Sequence, residues 1–255
     1  MASSLFRAKQ HIYRSIKYRL RRPQAPVLRE KLAGRTVVIV GSAPVSTKPE
    51  GLDDSFRVLT INASQVVAQG WGIEQPDVTL MQFNQIEGTN TNAVEVRRVL
   101  SHQRTGLLYM LLWRHGLDRL KAGLEAFDYR YEDLRLIDRY ERVELIRQVT
   151  GVLNFELEAE SKWSNGIIGT VLAIHSGAKN VILTGINPNS SGHIYNNENL
   201  NRLHASKDLE MLLRLRDMQC PIFTADEIVA RDTGLPLWRN QGTESASIAP
   251  GEKAR

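Results

Sequence analysis

The chain has 255 residues, 42% hydrophobic and 24% charged, enough for one large α/β domain with a substantial core or two small ones. A single cysteine, Cys220, excludes an internal disulfide and any cysteine-based zinc site, and a buried inert thiol is the expectation. The net charge of +5 is concentrated in residues 1–22, where Arg7, Lys9, Arg14, Lys17, Arg19, Arg21 and Arg22 meet no Asp or Glu; the rest is slightly acidic, unlike a nucleic-acid enzyme with a basic face on its folded body.

Leu5, Phe6, Ile12, Tyr13, Ile16 and Leu20 recur at roughly helical spacing between those cations. That predicts an amphipathic helix, ended by Pro23 and Pro26. The segment has no apolar core of a secretory signal, and no stretch approaches the roughly 20 apolar residues of a bilayer span. A basic amphipathic helix reads equally as an anchor on an anionic membrane surface or as a helix packed on the body or on another subunit, with its basic face solvated. Residues 1–26 are thus helix and linker, residues 27–239 a single domain, and residues 240–255 a tail expected to be disordered.

The β-branched run 36–40 predicts a parallel strand buried on both faces, ending in the small-residue turn Gly41-Ser42-Ala43-Pro44. Residues 57–61 predict a second strand ending at Asn62, followed by a helix over 64–70. Residues 77–81 predict a third strand ending near Asn84, and 107–113 a fourth. Residues 114–160 are charged and read as mostly helical. An apolar helix over 165–177, a strand over 180–184 reaching Gly185 and Asn187, a helix over 205–218 and a strand over 221–223 complete the unit. Residues 188–203, rich in Asn and Ser, read as a mobile lid. Strands alternating with helices predict an α/β fold with a parallel, Rossmann-like sheet flanked by helices.

Ligands of such a sheet bind beyond the carboxyl ends of its strands, where Ser42, Asn62, Asn84 and Asn187 stand. Small residues such as Gly41 and Ala43 let backbone approach phosphate. Ser164-Asn165-Gly166 opens a helix whose N–H groups can meet phosphate or carboxylate. Ser164 acting only as a cap is the simpler reading of that residue, and the two are compatible. The dinucleotide fingerprint is absent: its later glycines are missing after Gly41, and Asn62 stands where a ribose carboxylate belongs. Lys48, between Thr47 and Pro49, has no P-loop neighbours. No Asp-x-Asp pair is present, and Glu156, Glu158 and Glu160 read as a solvated edge. The site is therefore expected to work without a metal or other cofactor.

Three segments together resemble glycosyltransferase family 42, the bacterial sialyltransferases with a modified GT-A fold. Residues 37–44 resemble that family's strand followed by Gly-Asn-Gly-Pro. The second strand ends at Asn62, like the family's strand-terminal asparagine. Residues 164–187 resemble its Thr-Ser-Gly helix start, glycine-ended helix and strand ending Ser-Gly-Ile-Asp, and His204-Ala205-Ser206-Lys207-Asp208 resembles its His-Ser-Lys helix start. The resemblance spans roughly residues 35–225. It implies a CMP-activated donor, sialic acid or a Kdo-like sugar, and a glycan or glycolipid acceptor. It also implies cytidine and phosphate contacts from Ser42, Asn62, Ser164 and Asn165, a general base at His204, and a lid tyrosine at Tyr195 that steadies the departing phosphate.

The chain departs from the family at Ser42 for asparagine, Asn165 for serine, Pro188 for a second lid tyrosine and Lys162 for arginine. These positions bear on the donor sugar and the leaving group more than on the fold. An imidazole suits the base because it can take a proton near neutral pH, and His193 and Tyr195 could donate to phosphate once the lid closes. The implied reaction is an inverting displacement in cell-surface glycan synthesis, in the cytoplasm or on the inner face of its membrane. A non-catalytic nucleotide- or glycan-binding protein and another Rossmann-like nucleotide enzyme are the alternatives. A homo-oligomer stays open, and no nucleic-acid partner is expected.

Overall fold

A computed structural model describes residues 2–158, 160–190, 192, 194, 195 and 204–240. The elements in order are α1 (Ala2–Arg21), α2 (Arg29–Leu32), β1 (Thr36–Val40), β2 (Arg57–Ile61), a 3-10 turn (Asn62–Ser64), α3 (Gln65–Gln69), β3 (Val78–Gln82), α4 (Asn84–Glu87), α5 (Thr91–Leu100) and β4 (Arg104–Leu111). Then follow α6 (Leu117–Glu125), β5 (Arg130–Ile137), α7 (Arg139–Thr150), α8 (Asn165–His175), β6 (Asn180–Thr184), α9 (Ala205–Asp217), β7 (Ile222–Thr224) and α10 (Glu227–Thr233). Residues 241–255 of the expected tail, His193 and all of the lid except residues 188–190, 192, 194 and 195 lie outside the described residues.

The continuous apolar runs become strands because both faces of each are covered. All pair in parallel, in the order β5-β4-β3-β2-β1-β6-β7, so the fold is α/β and Rossmann-like, as the pattern predicts. The strand pleat sorts the core. Val37, Ile39, Leu59 and Leu80 face α7, α8 and α9 through Leu145, Ile168, Leu172 and Leu212. Val38, Val40, Val58 and Ile182 face Val67 and Ala68 of α3, and Met81, Leu108 and Met110 face α5 and α6.

One expectation about the elements fails. Residues 114–160, read as mostly helical, contain the strand β5 between α6 and α7. Only Ile137 of its eight residues is fully buried, and Arg130, Glu132, Asp133 and Arg135 carry charge along it. β5 is one of the two edge strands, where charge blocks edge-to-edge pairing and erases the apolar alternation that marks a strand. The short helix α5 and the C-terminal α10 were likewise not anticipated. Cys220 is half-buried, and burial pushes its thiol up, as fits an inert group.

α1 lies on the body, but by the face expected to be solvated. Arg7 pairs with Glu158 (2.7 Å), Arg14 donates to the carbonyls of Phe155 (2.7 Å) and Glu156 (2.8 Å), and Arg21 pairs with Asp138 (2.7 Å). Tyr18 donates to Glu144, and the His11 and Tyr18 rings meet the Phe155 ring edge-on. The bond from Arg147, with help from Tyr18, holds the Glu144 carboxyl down to about 2 from an ordinary 4.5. A depressed carboxylate stabilises the fold fully above its ordinary value, and that contribution is lost as pH falls through the folded value. Melting temperatures of wild type and Glu144→Gln, measured from pH 6 down to pH 2, are therefore expected to differ most at pH 6 and to converge near pH 2.

Candidate active site

From β1 the chain builds outward through β2 to β5 on one side, then returns to place β6 on the other. The strand order reverses between β1 and β6, and the crevice at such a reversal is where open parallel sheets bind ligands. The two loops there are knit together. Gly41 donates to the Thr184 carbonyl (2.8 Å) and Ala43 to that of Gly185 (2.9 Å). The approach is so close that a Cβ on Gly41 would overlap the Gly185 carbonyl. Gly185 itself has φ +63°, which glycine adopts without strain.

Asp226, at the start of α10, closes this knot. Its carboxylate accepts from the backbone N–H of Thr47 (2.8 Å) and Gly185 (2.7 Å) and from the Thr184 hydroxyl (3.4 Å). Burial pushes this carboxyl above its ordinary range, and the two backbone donors pull the other way. Sequence reasoning passed over Asp226. An acidic residue just after a strand, at a helix start, was the available signal.

Asn62 and Asn84 both stand at strand tips. Asn62 adopts φ +50°, and its side-chain oxygen accepts from the Gln82 N–H (2.9 Å), tying the end of β2 to that of β3. Among the described residues its amide nitrogen makes no hydrogen bond. Asn84 opens α4, and its side-chain oxygen accepts from Gln85 (3.2 Å). Ser164 caps α8 by accepting from Ile167 N–H (3.4 Å), so the capping reading holds. Asn165 is half-buried with no side-chain hydrogen bond among the described residues, while Gly166 packs against Ile186. Asn187, 8% exposed, is turned onto its own loop, accepting from Asn189 N–H (2.8 Å).

Two long-range bonds gather the remaining candidates. Ile194 N–H donates to the Ser42 carbonyl (2.9 Å), so the loop after β6 reaches across the tip of β1. Next to it, Tyr195 packs on the apolar cluster containing Met81, Ile86 and Trp113. Asp208 of α9 accepts from the Ser164 N–H (2.8 Å), which docks the first turn of α9 against the start of α8. His204, half-buried, is the N-cap of α9; it makes no side-chain capping bond, and its carbonyl accepts from Asp208 N–H (2.8 Å). His204 therefore lies one helical turn from the contact that holds Ser164.

The expectation of a solvated acidic edge fails at Glu156. It is 1% exposed and bonds Arg142, itself 3% exposed, through two guanidinium nitrogens. Arg142 also donates to the Trp163 carbonyl (3.2 Å), beside Ser164. Glu156 reaches this position through φ +51° and a bond from its N–H to Asn154 (2.8 Å), a turn that alternation in the sequence conceals. Arg14, Arg139 and Lys162 lie around this carboxylate as well, and Arg114 lies near Arg139. Among the described residues Arg139 and Lys162 make no hydrogen bond or ion pair. Burial is the main cause lowering both their pKa values, and their cationic neighbours lower them further while Glu156 opposes. Positive charge in excess of the one carboxylate that opposes it thus collects near Arg142, which holds the Trp163 carbonyl before α8. It was overlooked because its members are far apart in sequence.

No family model matches the sequence, and no curated protein matches it. Solved structures do resemble the fold. One is a monofunctional alpha-2,3-sialyltransferase, Cst-I from Campylobacter jejuni, with TM-score 0.54 and 14% identity over 90% of this chain and 92% of that one. Another is the sialyltransferase CST-II in complex with trisaccharide acceptor and CMP, with TM-score 0.51 and 16% identity over 81% of this chain and 89% of that one. A third is CstII from Campylobacter jejuni with cytidine-5'-monophosphate, with TM-score 0.50 and 16% identity over 81% of this chain and 86% of that one. At such identities the likeness is one of fold: the parallel sheet and its helices are arranged as in these Campylobacter sialyltransferase structures.

Proposed function

We propose that this chain is an inverting glycosyltransferase that moves a CMP-activated acidic sugar, sialic acid or Kdo-like, onto a glycan or glycolipid acceptor in lipopolysaccharide or capsule synthesis. The observation that carries this reading is a pair of bonds beside the strand-order reversal: the loop bearing Tyr195 is bonded to Ser42 at the tip of β1, and the helix headed by His204 is docked on the start of α8. It is supported by likeness of fold to proteins described as sialyltransferases in complex with CMP.

In this reading Gly41, Ser42, Ala43, Asn62 and Asn84 flank the nucleotide, with Asn187 behind the same tips. Asn165 and Gly166 present α8's first N–H groups to phosphate, and Ser164, whose own N–H is held by Asp208, donates its hydroxyl. His204 takes the proton of the acceptor hydroxyl as that oxygen attacks the anomeric carbon, and the bond to the CMP phosphate oxygen breaks. Tyr195 donates to the departing phosphate. Lys162 and Arg139 supply the positive charge that an acidic sugar and a phosphate call for, which is the task assigned to a metal in other transferases.

A thermal-shift panel of CMP, UMP, GDP, NAD and ATP tests the class. At a hundredfold excess over Kd a ligand adds about 2.7 kcal/mol, so CMP is expected to raise Tm by roughly 5–10 °C, equally in EDTA. Stabilisation by NAD or ATP and not by CMP would overturn the reading in favour of another nucleotide enzyme.

A further inference from the structure

We propose that α1 is a docking face for an anionic lipid bilayer. The helix is inverted relative to an ordinary surface helix. Arg7, His11, Arg14, Tyr18 and Arg21 succeed one another in steps of four and three residues, so they share one face. That polar face binds the body through the ion pairs, carbonyl bonds and ring contacts around Phe155, Glu144 and Asp138. The opposite face carries Leu5, Phe6, Ile12, Tyr13, Ile16 and Leu20, each between 53% and 79% exposed. A stripe of six large apolar side chains left in water calls for an occupant.

Charge selects which one. Lys9 lies within the stripe and Lys17 and Arg19 flank it, with no acidic residue anywhere in positions 1–22. Two copies pairing through this face would bring like charges together with no carboxylate to offset them. A bilayer of anionic lipid answers both features: its acyl boundary receives the stripe and its headgroups receive the cations. No described helix is long and apolar enough to cross a membrane, so the contact lies in the interface plane. The placement also has a consequence for the site. Arg14 holds the Glu156 carbonyl, Glu156 holds Arg142, and Arg142 holds the Trp163 carbonyl next to Ser164. The bilayer contact is thus rigidly linked to the start of α8, which orients the crevice relative to the lipid surface that would carry a lipid-linked acceptor.

The test is co-sedimentation of the full chain with vesicles of phosphatidylcholine alone or mixed with phosphatidylglycerol. The expected result is binding to the anionic vesicles at least about tenfold tighter than to neutral ones, weakened by salt. A variant combining Leu5→Ser, Phe6→Ser, Ile16→Ser and Leu20→Ser is expected to lose at least about tenfold of that binding. Because these side chains touch no core, the variant should keep its melting temperature and its response to CMP. Equal wild-type binding to both vesicle types, or undiminished binding by the variant, would overturn the proposal. So would a wild-type dimer that ignores vesicles and becomes monomeric in the variant, since the stripe would then be a subunit contact. The CMP response is read on the same samples, so failure of the nucleotide reading is seen separately from failure of lipid docking.

Discussion

A His204→Ala protein is expected to transfer sugar from a CMP donor about 10²–10⁴-fold more slowly than wild type, while still binding CMP. General-base assistance is confined to the transition state, so its loss appears in kcat and not in donor affinity. The substitution removes no capping bond, because the His204 side chain makes none at the head of α9. The backbone bond from Asp208 N–H to the residue 204 carbonyl survives in alanine. Folding should therefore be retained, and far-ultraviolet circular dichroism checks it. A folded variant with wild-type transfer rates would remove His204 from the proposed mechanism and leave the fold assignment untouched.

Glu156→Ala is expected to be the most damaging single substitution for stability. Arg142 is 3% exposed, and Glu156 is the carboxylate that neutralises it. Removing one partner of a buried ion pair leaves an uncompensated charge in low dielectric, at a cost of about 3–5 kcal/mol. For a chain of this size that lowers Tm by roughly 6–20 °C. Replacing both partners with apolar residues, Arg142→Met with Glu156→Leu, should recover much of the loss, because neither charge is then buried alone. The double variant gives up the bond to the Trp163 carbonyl and the grip on Glu156 beneath Arg14, so CMP affinity should stay reduced even where Tm returns. A Glu156→Ala protein melting within about 2 °C of wild type would show that the pair is not what holds this corner.

These two expectations sit at opposite ends of what could be read from the chain. The place of His204 at a helix start is legible in the sequence, while its role as base is what the family resemblance implies. The pair of Arg142 and Glu156 is not: its members belong to a helix and to an irregular turn, and nothing in their local sequence distinguishes them from solvated charges.

The same division runs through the molecule. The sequence alone determined the central strands at 36–40, 57–61 and 180–184, the helix opening at Ser164, and the small-residue turns at Gly41 and Gly185. A strand buried on both faces is dominated by apolar and β-branched residues, and a sharp turn between packed backbones must be glycine, so both leave local marks. Tertiary structure decided what no local pattern encodes. It placed the charged β5 at the sheet edge, where its neighbour supplies the hydrogen bonds its side chains do not advertise. It turned the arginine face of α1 inward, because Glu144, Asp138 and the carbonyls at 155 and 156 are complementary to it. It brought Asp226, 41 residues beyond Gly185, under the crevice to accept both loops. Burial and charge pairing are properties of neighbours in space, and only the folded chain chooses those.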